Sequence, residues 1–242
     1  MTAARPAFYA MRPGSWRDYI TLLHPPYTVW HLSYVAIGAA LAPRLSYARL
    51  GWTLLAFFLA LGVGAHALDE LKGRPLRTEI PAPVLAGLAV VSIAGAVAIG
   101  VGAALAWTGW LLVFVAAGAF IVVAYNLELF GGRFHTPAWF ALAWGAFPLL
   151  TASFANAERL TDEAIAAAAF AALTSAVQQM LSRDVRKLRR TVTAVHGALE
   201  LKDGTSEQLT AETLVRTPER ALQTLGAAIV VLALALVLLH LT

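Results

Sequence analysis

Long apolar stretches, separated by short polar segments, recur along the whole chain. Each is close to the roughly 20 residues that a helix needs to cross a bilayer. We count seven, at Tyr27–Ala42, Leu50–Leu68, Val84–Ala106, Trp110–Leu127, Ala138–Ala155, Ala164–Leu181 and Leu222–Leu241. The pattern predicts an all-α fold, a polytopic bundle of about seven membrane-spanning helices that forms a single domain over residues 27–242.

Two longer polar segments lie outside these stretches. Residues 1–26 are polar and basic, and Ser15–Leu23 is predicted to form an amphipathic helix on the bilayer before Pro25 and Pro26 interrupt it. Residues 191–220 form a connection before the last stretch that is too long for a simple turn. Within this connection, Leu199–Gly204 is expected to be a short helix that covers neighbouring helix ends.

The composition agrees with a membrane protein. Hydrophobic residues make up 59% of the chain, charged residues 13%, and the mean hydropathy is +0.69, which excludes an ordinary soluble protein. The net charge of +4 does not indicate nucleic acid, because the cations cluster at helix ends and no base-reading motif is present. The chain has no cysteine, which excludes disulfides and thiolate metal sites.

The distribution of Lys and Arg predicts the orientation. If residues 1–26 are cytoplasmic, fifteen of these cations fall on the cytoplasmic side and three on the other, namely Arg44, Arg49 and Arg159. This is a strong positive-inside bias. It predicts a multi-pass protein of the cytoplasmic membrane with a cytoplasmic N-terminus. The ends of the second, fourth and sixth stretches then meet at one surface.

Chemistry-bearing residues occur at the end of the second stretch. His66, Asp69 and Glu70 lie within one helical turn, so the imidazole and a carboxylate can share a helix face with metal-ligand spacing. The cations that follow at once are Lys72, Arg74 and Arg77. The alternative is that polar residues simply end a spanning helix where water begins.

Polar residues also end the fourth and sixth stretches. Tyr125 and Glu128 stand three residues apart, and Arg133 follows. Asp184 lies among cations, and two interpretations are possible. Either this is a salt-bridged helix end, or Asp184 forms a second metal-binding wall while Arg186, Lys187 or Arg190 meets phosphate oxygens. Because the three helix ends are predicted to share one surface, these residues point to one composite site.

The pattern resembles the UbiA-type intramembrane prenyltransferase superfamily. The resemblance rests on Leu23–Thr28 before the first span, Asp69 with Arg77 and Thr78, Tyr125, and Asp184–Lys187. It implies a helical fold that uses Mg²⁺ to transfer a prenyl group from an isoprenoid diphosphate to a lipid or aromatic acceptor. The acidic motifs here are shorter than the family's, and its usual span count is nine.

The resemblance also implies roles for these residues. Asp69, Glu70 and Asp184 would hold Mg²⁺, with Tyr125 and Glu128 orienting the acceptor or taking its proton. The diphosphate would lie among Lys72, Arg74, Arg77, Arg133 and Lys187. His66 is a nitrogen ligand that suits zinc, iron or manganese better. Two alternatives stay open: a different His/carboxylate metal-dependent membrane enzyme, and a non-catalytic protein that binds an isoprenoid or stabilises a membrane complex.

Overall fold

A computed structural model describes residues 5–241. It is an antiparallel helix bundle with one small hairpin. The helices are α1 (Trp16–Leu22), α2 (Pro25–Ala40), α3 (Tyr47–Gly73), α4 (Ala82–Ala106), α5 (Leu111–Asn126), α6 (Pro137–Ala157), α7 (Asp162–Arg190) and α8 (Ala211–Leu238). A single turn, Leu129–Gly132, follows α5.

Within residues 5–241, five helices are long and apolar enough to cross a membrane: α3, α4, α6, α7 and α8. The other two long helices, α2 and α5, have 16 residues each. Each of the seven apolar stretches thus lies largely within one helix, which confirms a helical bundle of the membrane type. The last helix begins earlier than its apolar stretch predicts, because Thr210 and Thr213 cap it well before the apolar residues begin.

Two helix pairs approach unusually closely, and both involve α6. A Cβ atom added to Gly38 of α2 would collide with the backbone of Leu149, and one added to Gly145 would collide with the backbone of Ala171 in α7. Backbone atoms cannot move aside as a side chain can. Glycine at these two positions therefore lets α2, α6 and α7 pack backbone against backbone.

The helix ends alternate between two ends of the bundle. At one end, the main-chain nitrogen of Ser46 donates to Asn156 Oδ1 over 3.0 Å, and His240 Nε2 donates to the carbonyl of Ala40 over 2.8 Å. Arg49 lies there too, 5.1 Å from the ring of Trp107. The starts of α2 and α6 and the ends of α3, α5 and α7 lie at the other end, which we call the cavity end.

Two of the helices contain π-helical segments. These are Phe58–Ala65 in α3 and Ala141–Ala146 in α6. In a π segment each hydrogen bond spans five residues instead of four, so the side chains that follow are rotated relative to a regular helix. In α3, His66 and Asp69 come directly after such a segment.

The connection between α7 and α8 is an exposed hairpin, so the expected short helix over Leu199–Gly204 is wrong. Strand β1 (Ala198–Glu200) pairs antiparallel with β2 (Ser206–Gln208). The turn contains Asp203, whose carboxylate accepts from the backbone and hydroxyl of Thr205, and Gly204 with a φ of 82°. An Asp-Gly pair favours a hairpin turn over a helix stop.

Candidate functional site

A polar cavity of about 230 Å³ opens at the cavity end of the bundle. It lies between the N-terminal segment, the start of α2 and the ends of α3, α5 and α7. Its polar lining consists of Tyr9, His24, Tyr27, His31, His66, Asp69, Tyr125, Asn126, His135, Gln178, Gln179, Ser182, Arg186 and Arg190. No single stretch of sequence contains this site, which is assembled from most of the chain.

The α3 side of the polar cavity carries His66 and Asp69. Nδ1 of His66 donates to the carbonyl oxygen of Gly62 over 3.1 Å, and this carbonyl lies in the π segment of α3. The imidazole also stacks on that of His24, with ring centroids 4.1 Å apart and an interplanar angle of 8°. These contacts fix the ring, so His66 presents one defined edge to the cavity.

His24 and Tyr9 close the side next to α2. The hydroxyl of Tyr9 and Nδ1 of His24 are 2.8 Å apart. Burial, and after it the neighbouring imidazole of His66, holds the pKa of His24 well below its usual value, while burial raises the pKa of the Tyr9 phenol. Both groups are therefore neutral at physiological pH.

The α7 side supplies the positive charge. Arg186 donates from Nη1 to Ser182 Oγ over 2.9 Å and from Nη2 to Gln179 Oε1 over 3.0 Å. Arg190, one turn later on the same face, donates from Nε to the carbonyl of Pro6 over 3.2 Å. Among the described residues, Asp69 is the only carboxylate that lines the cavity. The site therefore carries an excess of positive charge and suits an anion.

Aromatic rings form the floor of the polar cavity. Tyr125 lies with its ring centroid 4.4 Å from those of both His135 and Trp144. Phe140 stacks on Trp144 with centroids 5.7 Å apart. The polar groups thus give way to aromatic faces in the direction of the membrane-spanning part of the bundle.

Beyond the aromatic floor lies an apolar groove, which we call the lateral groove. Its volume is about 110 Å³, and residues of α3, α4, α5 and α6 line it, including Ile93, Phe114 and Phe147. Trp144 borders both the lateral groove and the polar cavity. A polar space and an apolar space thus lie against the same indole ring.

The structure brings three of the predicted site residues together at the polar cavity: His66, Asp69 and Tyr125. Glu70 lies elsewhere, almost completely buried. Its carboxylate accepts from the backbone nitrogens of Leu76 and Thr78 and from the Thr78 hydroxyl, at 2.9–3.0 Å. These bonds hold the loop after α3, and they leave Glu70 without a place at the cavity.

The other predicted residues do not line the polar cavity. Glu128 is exposed and pairs with Lys72 over 2.6 Å, which lowers the pKa of the Glu128 carboxyl. Arg74 donates to the carbonyl oxygens of Thr78 and Ile80 and so supports the same loop as Glu70. The remaining predicted residues are exposed: Arg77, Arg133, Asp184 and Lys187.

On α7, the sequence predicted Arg186 and Arg190 as possible phosphate ligands but did not indicate Gln178 or Ser182. Gln178, Ser182, Arg186 and Arg190 follow one another at intervals of four along α7. This polar stripe on one helix face was a readable signal of the cavity wall. By contrast, His24 and His135 lie in non-helical connections, and no helical spacing places them at the site.

The cavity lining does not fit magnesium well. Mg²⁺ prefers several oxygen ligands in octahedral geometry, and here a single carboxylate faces the cavity. Within residues 5–241, no group of three or more His, Cys, Asp and Glu is arranged to hold a metal ion.

Comparisons with protein-family models, curated proteins and solved structures find no match for this chain.

Proposed function

We propose that this chain is an integral membrane protein that binds an isoprenoid diphosphate, with the diphosphate in the polar cavity and the prenyl chain in the lateral groove. The observation that carries the proposal is that a cationic cavity and an apolar groove both border Trp144 and so lie side by side. Arg186 and Arg190 match a phosphate group because the guanidinium fork donates in pairs.

The proposed reaction is transfer of the prenyl group to an acceptor, as the resemblance to the UbiA-type superfamily implies. The bond between C1 of the prenyl chain and the diphosphate oxygen breaks, and the diphosphate leaves with the electron pair. The acceptor's nucleophile bonds to C1 and loses its proton. The faces of Tyr125, Phe140 and Trp144 support this choice, because aromatic faces stabilise positive charge that develops at an allylic carbon.

In this proposal the arginines, together with the neutral polar groups of the cavity, stabilise the diphosphate. Magnesium is left out, since Glu70 is engaged with its own loop and Asp184 is exposed. Asp69 and His66, which line the polar cavity, are the groups that can take the proton from the prenyl acceptor. Glu128, which forms an exposed ion pair with Lys72, is not assigned as the base.

We further propose that all seven long helices cross the cytoplasmic membrane, with the cavity end at the cytoplasmic surface. The charge bias supports this orientation, because fifteen of the eighteen Lys and Arg residues then lie on the cytoplasmic side. The alternating helix ends agree with seven crossings. A diphosphate made in the cytoplasm would reach the polar cavity from that side.

The test is binding of farnesyl thiodiphosphate, a slowly reacting analogue, to the purified protein in detergent. We expect Arg186→Gln and Arg190→Gln each to weaken binding by about tenfold or more, since each removes a charged hydrogen-bond donor from the phosphate. Lys187→Gln is the matched control. Lys187 is the exposed neighbour of Arg186 on the same helix, so its loss should change the affinity less than about twofold.

Equal affinities for the wild type and all three variants would contradict the proposed site. Farnesol, which has the chain without the diphosphate, separates the two halves of the proposal. Its affinity should be the same in wild type and both arginine variants.

A second candidate is a protein that binds the same lipid without catalysis. The position of the N-terminal segment favours it, because Pro6 and Tyr9 lie against Arg190 and His24 and cover the cavity from the aqueous side. Incubation with radiolabelled farnesyl diphosphate and membrane lipid extract distinguishes the two candidates. Release of diphosphate together with a prenylated product supports an enzyme, and retention of intact diphosphate supports a carrier.

A further inference from the structure

Three histidines that line the polar cavity use the same ring nitrogen for the same purpose. Nδ1 donates to a backbone carbonyl in His31 (to Trp144, 2.9 Å), His66 (to Gly62, 3.1 Å) and His135 (to Tyr125, 3.0 Å). A carbonyl oxygen can only accept, so the proton is on Nδ1 in each case. In a neutral imidazole, Nε2 then carries the lone pair.

The fold provides two of these carbonyls through its π segments. Gly62 lies in the π segment of α3 and Trp144 in that of α6. The change from four-residue to five-residue hydrogen bonds shifts the backbone ladder there, and such segments are frequent at functional sites. Both segments thus fix a histidine tautomer. They leave Nε2 of His31 and His66 as the ring nitrogen for a ligand.

Gln178 provides an independent observation. Its side chain is 97% buried, given a relative exposure of 3%, and it lines the polar cavity. Within residues 5–241 no donor reaches its Oε1 atom. A buried acceptor without a partner is rare and calls for an external donor. Gln178 lies on α7, so the same requirement arises from two different walls of the cavity.

The cavity is therefore divided by hydrogen-bonding character. Arg186 and Arg190 offer only donors. Nε2 of His66 and His31, Oε1 of Gln178 and the carboxylate of Asp69 offer acceptors. An anion satisfies the first set and is a poor partner for the second, because a diphosphate is mostly deprotonated at neutral pH and then only accepts hydrogen bonds. The acceptor groups need a second chemical group, one that carries hydrogen-bond donors.

We infer that the polar cavity contains a second subsite, formed by His66, His31 and Gln178, that binds the hydroxyl groups of a neutral alcohol or polyol. An amine is disfavoured, because an ammonium group would be repelled by Arg186 and Arg190 in the same small space. A hydroxyl carries no charge and both donates and accepts. The role of this alcohol as prenyl acceptor rests on the proposed function, whereas its binding does not.

If the alcohol is the acceptor, the step is balanced by groups already in the cavity. The hydroxyl oxygen forms a bond to C1 of the prenyl chain as the bond from C1 to the diphosphate oxygen breaks. The diphosphate leaves with the electron pair, and the hydroxyl proton passes to Nε2 of His66. Transfer to oxygen gives a prenyl ether.

The experiment compares 1-O-octylglycerol, which has two hydroxyl donors, with its 2,3-di-O-methyl derivative, in which methyl groups replace both hydroxyl hydrogens. Binding to the full-length protein is measured by calorimetry in a detergent that lacks free hydroxyl groups. We expect the diol to bind about tenfold more tightly, as the loss of two hydrogen bonds to buried acceptors implies. His66→Phe and Gln178→Leu keep size but remove an acceptor, and each should reduce this preference to about twofold.

His196→Phe is the matched control, since His196 is exposed in the α7–α8 connection and should leave the preference unchanged. Equal affinities of the two probes for the wild type would overturn the subsite, and would mean that only water meets these acceptors. This comparison needs no variant to fold. The comparison is made with and without farnesyl thiodiphosphate. If only the proposed diphosphate site is wrong, farnesyl thiodiphosphate will not bind, but the protein will still bind the diol more tightly than its dimethyl derivative.

Discussion

At the scale of single residues, neighbouring carboxylates on α3 have opposite roles. Asp69 lines the polar cavity, while Glu70 is buried against the loop that follows and accepts three hydrogen bonds. We expect Glu70→Gln to reduce the free energy of unfolding by about 2–3 kcal/mol. The amide replaces one carboxylate oxygen by an NH₂ group, which cannot accept a hydrogen bond from the donors of the loop. Thermal unfolding in detergent measures this loss.

The control for this variant is Glu79→Gln. Glu79 is exposed on the same loop, so its substitution should change stability by less than about 0.5 kcal/mol. A Glu70→Gln protein of unchanged stability would show that these bonds contribute nothing.

The sequence predicted His66, Asp69 and Tyr125 at the site because helical spacing is a local property. It could not separate Asp69 from Glu70, since the partners of Glu70 are donors in a loop whose path no periodicity describes. The same limit applies to Glu128. Its backbone is left-handed with a φ of 50°, which turns the chain and carries the carboxylate towards Lys72 instead of the cavity.

The low pKa of His24 predicts that the stability of the protein depends on pH. Its pKa in the folded chain lies well below the ordinary 6.5, because it is buried and faces His66, Arg186 and Arg190. Below pH 6.5 the unfolded chain therefore binds a proton that the folded chain does not. Stability should fall as the pH decreases from about 6.5 towards the folded pKa, by up to about 1.4 kcal/mol per pH unit.

The measurement is the thermal midpoint between pH 7.5 and pH 5. His24→Gln removes this group and should make the curve less steep, whereas His196→Gln should not. A His24→Gln curve as steep as that of the wild type would assign the pH dependence to other groups.

At the scale of elements, contact between helices depends on two glycines that the sequence alone did not single out. Gly38→Ala should destabilise the protein by about 1–3 kcal/mol, because the new methyl group meets the backbone of Leu149. Gly51→Ala, on an open surface of α3, is the matched control. It should be neutral or stabilise by up to about 1 kcal/mol through helix propensity.

The two measurements are made in the same detergent by thermal unfolding. Equal midpoints for the two variants would show that α2 and α6 can separate without cost.

The long helices themselves were predictable, because a run of apolar residues of bilayer length can satisfy its backbone hydrogen bonds in a membrane in few ways other than a helix. Their contact faces were not, since nearly all sides of α4 and α5 are apolar.

At the scale of the whole molecule, the absence of cysteine makes the proposed topology directly testable. We expect Lys202→Cys, in the hairpin, and Arg44→Cys, between α2 and α3, to lie on opposite sides of the membrane. A membrane-impermeant maleimide applied to intact cells should label only Arg44→Cys. Labelling of both or of neither would contradict seven crossings with this orientation.

Metal removal tests whether the polar cavity binds the diphosphate without a metal ion. Because two arginines and one carboxylate face the polar cavity, we expect EDTA to change the affinity for farnesyl thiodiphosphate by less than about threefold. Isothermal calorimetry with and without Mg²⁺ measures this. A strict requirement for Mg²⁺ would instead favour the carboxylate-bound metal that the family resemblance implies.

The close glycine contacts also make one part of the bundle harder to deform than the other. With α2, α6 and α7 locked backbone to backbone, these three helices resist being spread apart. The helices α4 and α5 flank the lateral groove, and much of α4 is exposed on its outer side. An amphiphile already dissolved in the bilayer would thus enter the lateral groove from the side, and the membrane itself would serve as the reservoir from which the site is filled.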